Sequence, residues 1–348
     1  MSTIVPYHVY EEVTEIADSL GITPSTLLRE AIPTVLREVG LQRICPKLFL
    51  AGLSAVLDIV INSGVKPLNW LLSAGMYYSN GKFIMSDDFK LIKELDGELF
   101  IDSGAQQFYR DFNGFDYPYS DREYLEFALR IGADYIATLD LPLDILHPRG
   151  LPIKDGIRRT VEHGVELIAL AEDLGVVDKV VPVLQGFDDP SQWLDSLDLY
   201  KSHGVTPDKF KYWGVGSICM MRSPSSVHKI LSAVRKALPD VKLHVFGISM
   251  NSLRRTYYLI DSYDTSVWIY WAKMDGNVYI WSPRRNAFMR FKSRRRYGTK
   301  DLMEANMLEI LTMHRDLCIK NLDLIIKRRK GEFLRKSTTQ TTRGISYA

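Results

Sequence analysis

The stretch KYWGVGSICMMRSPSSVHKILSAVRKALPDVKLHVFGIS, residues 211–249, decides the fold class. KYWGVGS (211–217) and KLHVFGIS (242–249) are short runs, apolar on both faces, and SVHKILSAVRKALP (226–239) between them is amphipathic with a helical period. Strands with no polar face are covered on both sides, and a helical crossover between them makes them parallel. The same unit recurs in both directions. Candidate strands are KLFLAGL (47–53), NWLLSAGM (69–76), ELFIDSG (98–104), ADYIATLD (133–140), KVVPVLQG (179–186) and DTSVWIYW (264–271), with helices such as GIRRTVEHGVELIALAEDLG (156–175) and NSLRRTYYLIDSY (251–263) among the later ones. Eight such units across residues 45–274 predict an α/β fold, a (β/α)8 TIM barrel. A doubly wound open sheet is the alternative, and eight successive units favour closure.

Two flanking segments break this rhythm. Residues 1–44 read as a separate arm: a short strand (VPYHVY, 5–10), a helix closed by Gly21, and a second helix capped by Thr23 or Ser25 with Pro24 in its first turn. Pro33 ends or kinks that second helix. After the barrel, residues 275–348 begin with NVYIWSPRRNAFMRF (277–291), a hairpin around Pro283–Asn286. A long helix over about 300–327 follows, then a basic, Ser/Thr-rich tail expected to be mobile.

Composition bounds the function more loosely. The chain has 348 residues, 46% of them hydrophobic, enough for a large core. A net charge of +2 says nothing about nucleic acid by itself, but the last third is visibly basic. Cys45, Cys219 and Cys318 lie far apart with no CxxC pair, so neither a zinc knuckle nor a disulfide framework is expected, and a reducing cytoplasmic compartment fits. No apolar run reaches membrane-spanning length, and MSTIVPYHVYEE lacks a signal-peptide pattern.

In a TIM barrel the chemistry sits at the C-terminal ends of the strands. Those ends supply Asp102-Ser103-Gly104, Asp140, Gln185-Gly186, Gly214 to Ser217, and Phe246-Gly247, while Asp264 falls at the start of the last candidate strand. Two facing carboxylates support a nucleophile and a general acid/base at an acetal-like carbon. A third carboxylate and an amide can read the edge of a heterocycle, and glycines let a base approach the backbone. No His/Cys cluster with metal-ligand spacing is present. The set points to glycosyl transfer rather than metal hydrolysis or hydride transfer. Each Asp alone is as well explained as a helix cap, and the joint placement carries the reading.

These segments resemble the tRNA-guanine transglycosylases and their DNA-acting relatives. FIDSGAQQF (100–108), ATLDLP (137–142), VPVLQG (181–186), YWGVGSICMMRS (212–223) and HVFGIS followed by YDTSVW (263–268) match that family's motifs in order. The resemblance implies that Asp264 attacks C1′ of the target nucleotide and that Asp102 is the general acid/base. It also implies that Ser103, Asp140, Gln185, Gly216, Ser217 and Gly247 contact the base, with Phe246 against its face. The chain departs from the family at Ala105 and Gln106 in the first motif, at Pro142 where tRNA enzymes commonly carry Cys, and at Ser217 in place of Gly. The tRNA enzymes' Cys-rich zinc site after the barrel has no counterpart here, so no metal or other cofactor is expected. His314, on the post-barrel helix, reads as a surface or core residue. The arm at 4–40 resembles ribbon-helix-helix DNA-binding modules, with a helical hairpin packed on the main domain as the equal alternative.

The substrate follows from what is added and what is lost. Seven of the thirteen residues from Arg284 to Arg296 are basic: Arg284, Arg285, Arg290, Lys292, Arg294, Arg295 and Arg296. Phe288 and Phe291 are interleaved with them, a composition suited to phosphate contact. A solvated charged hairpin is the plainer alternative. With the zinc site missing, the pattern favours DNA: exchange of guanine for a free 7-deazaguanine such as 7-cyano-7-deazaguanine, by a phage- or prokaryote-encoded enzyme that could work as a homodimer. Action on tRNA is the second reading. An inactive barrel on a DNA-binding protein, and a sugar-directed glycosidase, are further alternatives.

Overall fold

The computed structural model describes residues 45–87, 89–108, 116–292 and 298–341, of which 106, 108, 292 and 321–341 are described by backbone alone. The arm read at 1–44, with its ribbon-helix-helix resemblance, lies outside the described residues, as do Arg294, Arg295 and Arg296. Two compact units are present: Pro46–Leu311, and a second formed by Met1–Cys45 with Thr312–Ala348.

Nine short strands form one parallel sheet in the larger unit. They are β1 Lys47–Ala51, β2 Asn69–Ser73, β3 Leu99–Asp102, β4 Tyr135–Ala137, β5 Val180–Val181, β6 Val183–Leu184, β7 Tyr212–Val215, β8 Lys242–Val245 and β9 Ser262–Thr265. Their side-by-side order is β5-β4-β3-β2-β1-β9-β8-β7-β6. Only Pro182 separates β5 from β6, so the two ends of the sheet are neighbours in the chain and the sheet is nearly closed, like a barrel. Pro182 has no N–H for the ladder, which explains the break. Its carbonyl still accepts the N–H of Gly214 at 2.8 Å, and Thr138 Oγ1 accepts the N–H of Val183 at 3.0 Å, so pairing resumes on both sides.

The inward residues are apolar and interlocked. Phe49, Leu71, Phe100, Val181 and Val183 form one buried cluster, with Tyr135, Tyr212 and Phe246 packed against it. Phe49 and Phe100 meet edge to face with ring centroids 5.5 Å apart, a favoured aromatic geometry.

Four of the helices around the sheet start at a side-chain cap. Helix α1 (Asp121–Arg130) opens with Ser120 and Glu123 in a reciprocal capping box. Helix α2 spans Ile153–Asp173. Asp189 caps α3 (Pro190–Ser202) and Ser223 caps α4 (Pro224–Ala237), each with proline in the first turn. Ser249 caps α5 (Met250–Thr256). Arg235 on α4 is anchored to the chain ahead of β9: its guanidinium pairs with Asp261, and its Nε donates to the Leu259 carbonyl at 2.8 Å. Burying that charge is tolerable because it is paired and also donates to the carbonyls of Leu238 and Val241.

The hairpin forms as its sequence predicts. Strands β10 (Asn277–Ser282) and β11 (Ala287–Lys292) pair antiparallel, with Asn286 at φ +50° in the connecting turn. The buried amide of Asn306, on helix α6 (Thr299–Thr341), accepts the N–H of Tyr279 at 2.8 Å and donates to the carbonyl of Asn277 at 3.0 Å. Among the described residues, no helix is long and apolar enough to cross a membrane.

Three expectations need correction. The last strand is Ser262–Thr265 rather than 264–271, and Val267–Tyr270 is a helical turn. The β-branched and aromatic run favours a strand, but a helical turn buries Trp268 completely and leaves Tyr270 exposed, and this packing overrides local propensity. The post-hairpin helix runs to Thr341, past the expected end near 327 and into the tail read as mobile. Finally, Cys45 and Cys318 do not stay apart: their sulfurs are joined as a disulfide across 273 residues.

Candidate active site

A cavity of about 400 Å³ opens where the strands end. Asp102, Ser103, Asp140, Gly216, Ser217, Phe246, Gly247 and Asp264 all line it. Each belongs to a strand end. Asp102 is the last residue of β3, Asp264 is the third residue of β9, and Gly216 and Phe246 directly follow β7 and β8. The shortened β9 places Asp264 near the C-terminal end of its strand, level with the other groups.

Asp102 is half-buried in the cavity wall. Its Oδ1 accepts the Gly104 N–H at 2.8 Å and lies 2.7 Å from Ser73 Oγ. Gly104 sits at φ +74°, and a Cβ there would lie 2.0 Å from the backbone nitrogen of Gly75, so only glycine serves this turn. Burial pushes the Asp102 carboxyl up to about 7, with the charges of Asp264 and Asp140 adding to the rise and the bonds from Ser73 and Gly104 opposing it. A carboxyl with that value can give and take a proton near neutral pH.

Asp140 is a second carboxyl raised in the cavity. Its Oδ1 accepts from Ser103 Oγ at 2.6 Å, and its Oδ2 accepts from the Gln185 amide. Burial raises it to about 6 despite those bonds. Gln185 itself is completely buried behind the cavity wall. Its Nε2 is taken by Asp140 and its Oε1 by the Ser217 hydroxyl, so it orients Asp140 from behind instead of lining the cavity. A Cβ on Gly216 would lie 2.2 Å from Gln185 Nε2, so glycine there leaves room for this amide. Ser217 stands at φ +57°, the region glycine occupies at no cost, and its Oγ accepts the Leu143 N–H at 2.8 Å.

Asp264 Oδ1 accepts the Gly247 N–H at 2.9 Å. Below it lies His244, which burial keeps neutral by lowering its pKa, partly opposed by Asp264. His244 Nδ1 is 2.8 Å from Ser262 Oγ, which in turn bonds Tyr212 Oη. Phe246 is half-buried, its ring edge-on to Phe100 at 5.6 Å, and it lines the cavity. Ser73, His244 and the tyrosines Tyr117 and Tyr119, whose hydroxyls donate to the carbonyls of Asp140 and Ser103, were not singled out from sequence. They lie inside strands or beyond the motifs, where nothing in the chain order marks them.

Over residues 127–284 the chain matches the family model DpdA, described as DeoxyPurine in DNA protein A. No curated protein matches it. The DpdA match is to a family of DNA-modifying transglycosylases related to the tRNA-guanine enzymes, in line with the resemblance drawn from the motifs. It takes in Asp140, Gln185, Gly216, Ser217, Phe246, Gly247 and Asp264, and stops short of Asp102 and Ser103. Those two are joined to the matched residues by geometry, because they face the same cavity and Ser103 is bonded to Asp140.

On the hairpin, Arg284, Arg285 and Arg290 are exposed, and Lys292 ends β11. Phe288 packs against Trp271 and Trp281, so it is structural rather than a free stacking surface, while Phe291 is exposed.

Proposed function

We propose that this protein exchanges guanine in DNA for a 7-deazaguanine base through a covalent aspartyl intermediate. One observation carries the reading. Asp102, whose carboxyl titrates near neutrality, shares a cavity with Asp264 and with an Asp140 held by Ser103 and Gln185. Counting Val180–Leu184 as a single strand, we read the sheet as an eight-stranded (β/α)8 barrel.

In the first displacement an Asp264 oxygen bonds to C1′ while the bond from C1′ to the guanine nitrogen breaks. The electron pair leaves with guanine, which takes the Asp102 proton. In the second, Asp102 takes a ring N–H proton from the incoming deazaguanine. That nitrogen bonds to C1′, and the ester bond breaks, returning its electron pair to Asp264. Two displacements retain configuration. Gly247 holds one oxygen of Asp264, with the His244 ring beneath it, leaving the other for attack. Asp140 accepts donors of the base edge, and Phe246 offers an apolar face. The target nucleotide has to leave the duplex stack to enter the cavity. The exposed arginines of the hairpin contact phosphates. None of these steps calls on a metal.

The experiment is base exchange with purified full-length protein. Duplex DNA, single-stranded DNA and tRNA carrying labelled guanine are each offered 7-cyano-7-deazaguanine. Label release from DNA alone is expected. Release from tRNA alone would transfer the reading to RNA, and release from none would refute exchange by this chain acting alone.

A further inference from the structure

Three side chains distant in sequence converge within the unit formed by the chain's two ends. Cys45 Sγ, His314 Nε2 and Cys318 Sγ all lie within 4.8 Å of one another. The ring nitrogen is 3.8 Å from one sulfur and 3.9 Å from the other. Both cysteines are buried, and His314 is half-buried. His314 and Cys318 are one helical turn apart on α6, so they project from the same face, and Cys45 reaches them from 269 residues away.

We propose that this cluster, in its thiol state, is a binding site for a zinc-class transition metal ion. The disulfide joins Cys45 to Cys318, and His314 adds a ring nitrogen within reach of both sulfurs. Two thiolates and an imidazole at one point are a donor set that zinc, cobalt and similar ions select over magnesium or calcium. The set differs from a Cys-rich cluster following a barrel, since one ligand precedes the first strand and two share a helix. Reaching the thiol state takes two electrons and two protons from a dithiol reductant, which leaves as its own disulfide. Metal binding then displaces the two thiol protons. A sulfur bonded to its neighbour has no thiolate to give, so disulfide and ion exclude one another. The three protein ligands leave one tetrahedral position for water.

The full-length protein is reduced with excess dithiol, freed of reductant and metal under argon, and titrated with cobalt chloride and then zinc chloride. The expected result is one cobalt per chain with a thiolate-to-cobalt charge-transfer band, lost as zinc displaces it. Cys45 and Cys318, located by peptide mass, should alkylate at least ten-fold more slowly with zinc present, while Cys219 is unaffected. His314→Ala and Cys318→Ser should weaken zinc at least ten-fold. Failure of the reduced wild-type protein to bind cobalt or zinc would overturn the proposal whatever the variants do. Binding that leaves Cys45 and Cys318 reactive, or that survives unchanged in a folded Cys318→Ser protein, would place the ion elsewhere and also overturn it. None of these readouts depends on base exchange.

Discussion

His244 Nε2 lies 3.4 Å from Asp264 Oδ1, and the ring is completely buried beneath the carboxyl. That distance is at the outer edge of hydrogen bonding, so the contact is electrostatic and directional rather than strong. Ser262 engages the opposite ring nitrogen, and Tyr212 engages Ser262, so the ring has little freedom to turn. In the proposed exchange His244 is therefore a positioning residue. His244→Phe keeps a flat aromatic ring, slightly larger than the imidazole, and removes both nitrogens. A loss of about 1.5 kcal/mol at one oriented oxygen corresponds to roughly ten-fold in kcat, with KM for the base nearly unchanged. Exchange kinetics at saturating DNA measure this split. A KM effect without a kcat effect would assign the ring to base binding instead.

Asp264→Asn should remove the nucleophile outright. Loss of a covalent catalyst costs roughly 10⁴-fold or more. The variant should neither release guanine nor leave DNA attached to protein on a denaturing gel. Its DNA affinity should stay within about two-fold of wild type, since the change lies in the cavity and leaves the basic hairpin untouched. Guanine release at the wild-type rate would remove Asp264 from the mechanism.

Much of this arrangement was legible from the chain. Apolar runs that stop at Asp102, Gly216 and Phe246 mark strand ends, and a barrel puts strand ends together. Residues whose role depends on three-dimensional neighbours were not legible. Ser73 and His244 sit within strands and look like ordinary core positions until Asp102 and Asp264 are placed beside them. Gln185 carries a family-like motif, yet in three dimensions both ends of its amide face Asp140 and Ser217. Val267–Tyr270 misleads because β-branched and aromatic residues also suit a helical turn when one of them, Trp268, has a pocket against Trp70. Cys45 and Cys318 carried no pairing signal at all, since 273 residues separate them.

In the proposed exchange Asp102 links catalysis to stability. Its carboxyl rises from 3.8 to about 7 on folding, chiefly through burial. A raised folded value means that the native state binds this proton more tightly than the unfolded chain. The resulting stability is complete below pH 3.8 and is lost as the pH climbs through about 7. Asp102→Asn cannot titrate, so its stability relative to wild type should rise across that window and level off above it. The full difference is on the order of 4 kcal/mol. Thermal melts of both proteins from pH 4 to 8.5 provide the check. Exchange should be strongly impaired in the variant at every pH, while wild-type guanine release should fall as the pH passes about 7 and the acid form disappears. A flat stability difference across the range would mean that Asp102 is not a neutral-pH proton carrier.

The hairpin arginines make a prediction that separates phosphate contact from a merely solvated surface. Arg284, Arg285 and Arg290 are exposed on a hairpin whose backbone is anchored by Asn306 and whose interior is filled by Trp281 and Phe288. Replacing the three with Gln should leave the fold and the cavity intact, because Trp281, Phe288 and Asn306 hold the hairpin, while Arg285 meets Met289 Sδ and Arg290 the Tyr279 side chain at its surface. Each phosphate contact releases counterions, so the slope of log affinity against log salt should become shallower by about 0.9 per arginine that touches DNA. Loss of all three contacts therefore lowers the slope by roughly 2.7 and weakens binding to every sequence alike. Fluorescence anisotropy with two unrelated duplexes, between low and physiological salt, measures both quantities. An unchanged slope would return the hairpin to the status of a charged but idle surface, and DNA docking would have to be sought elsewhere on the chain.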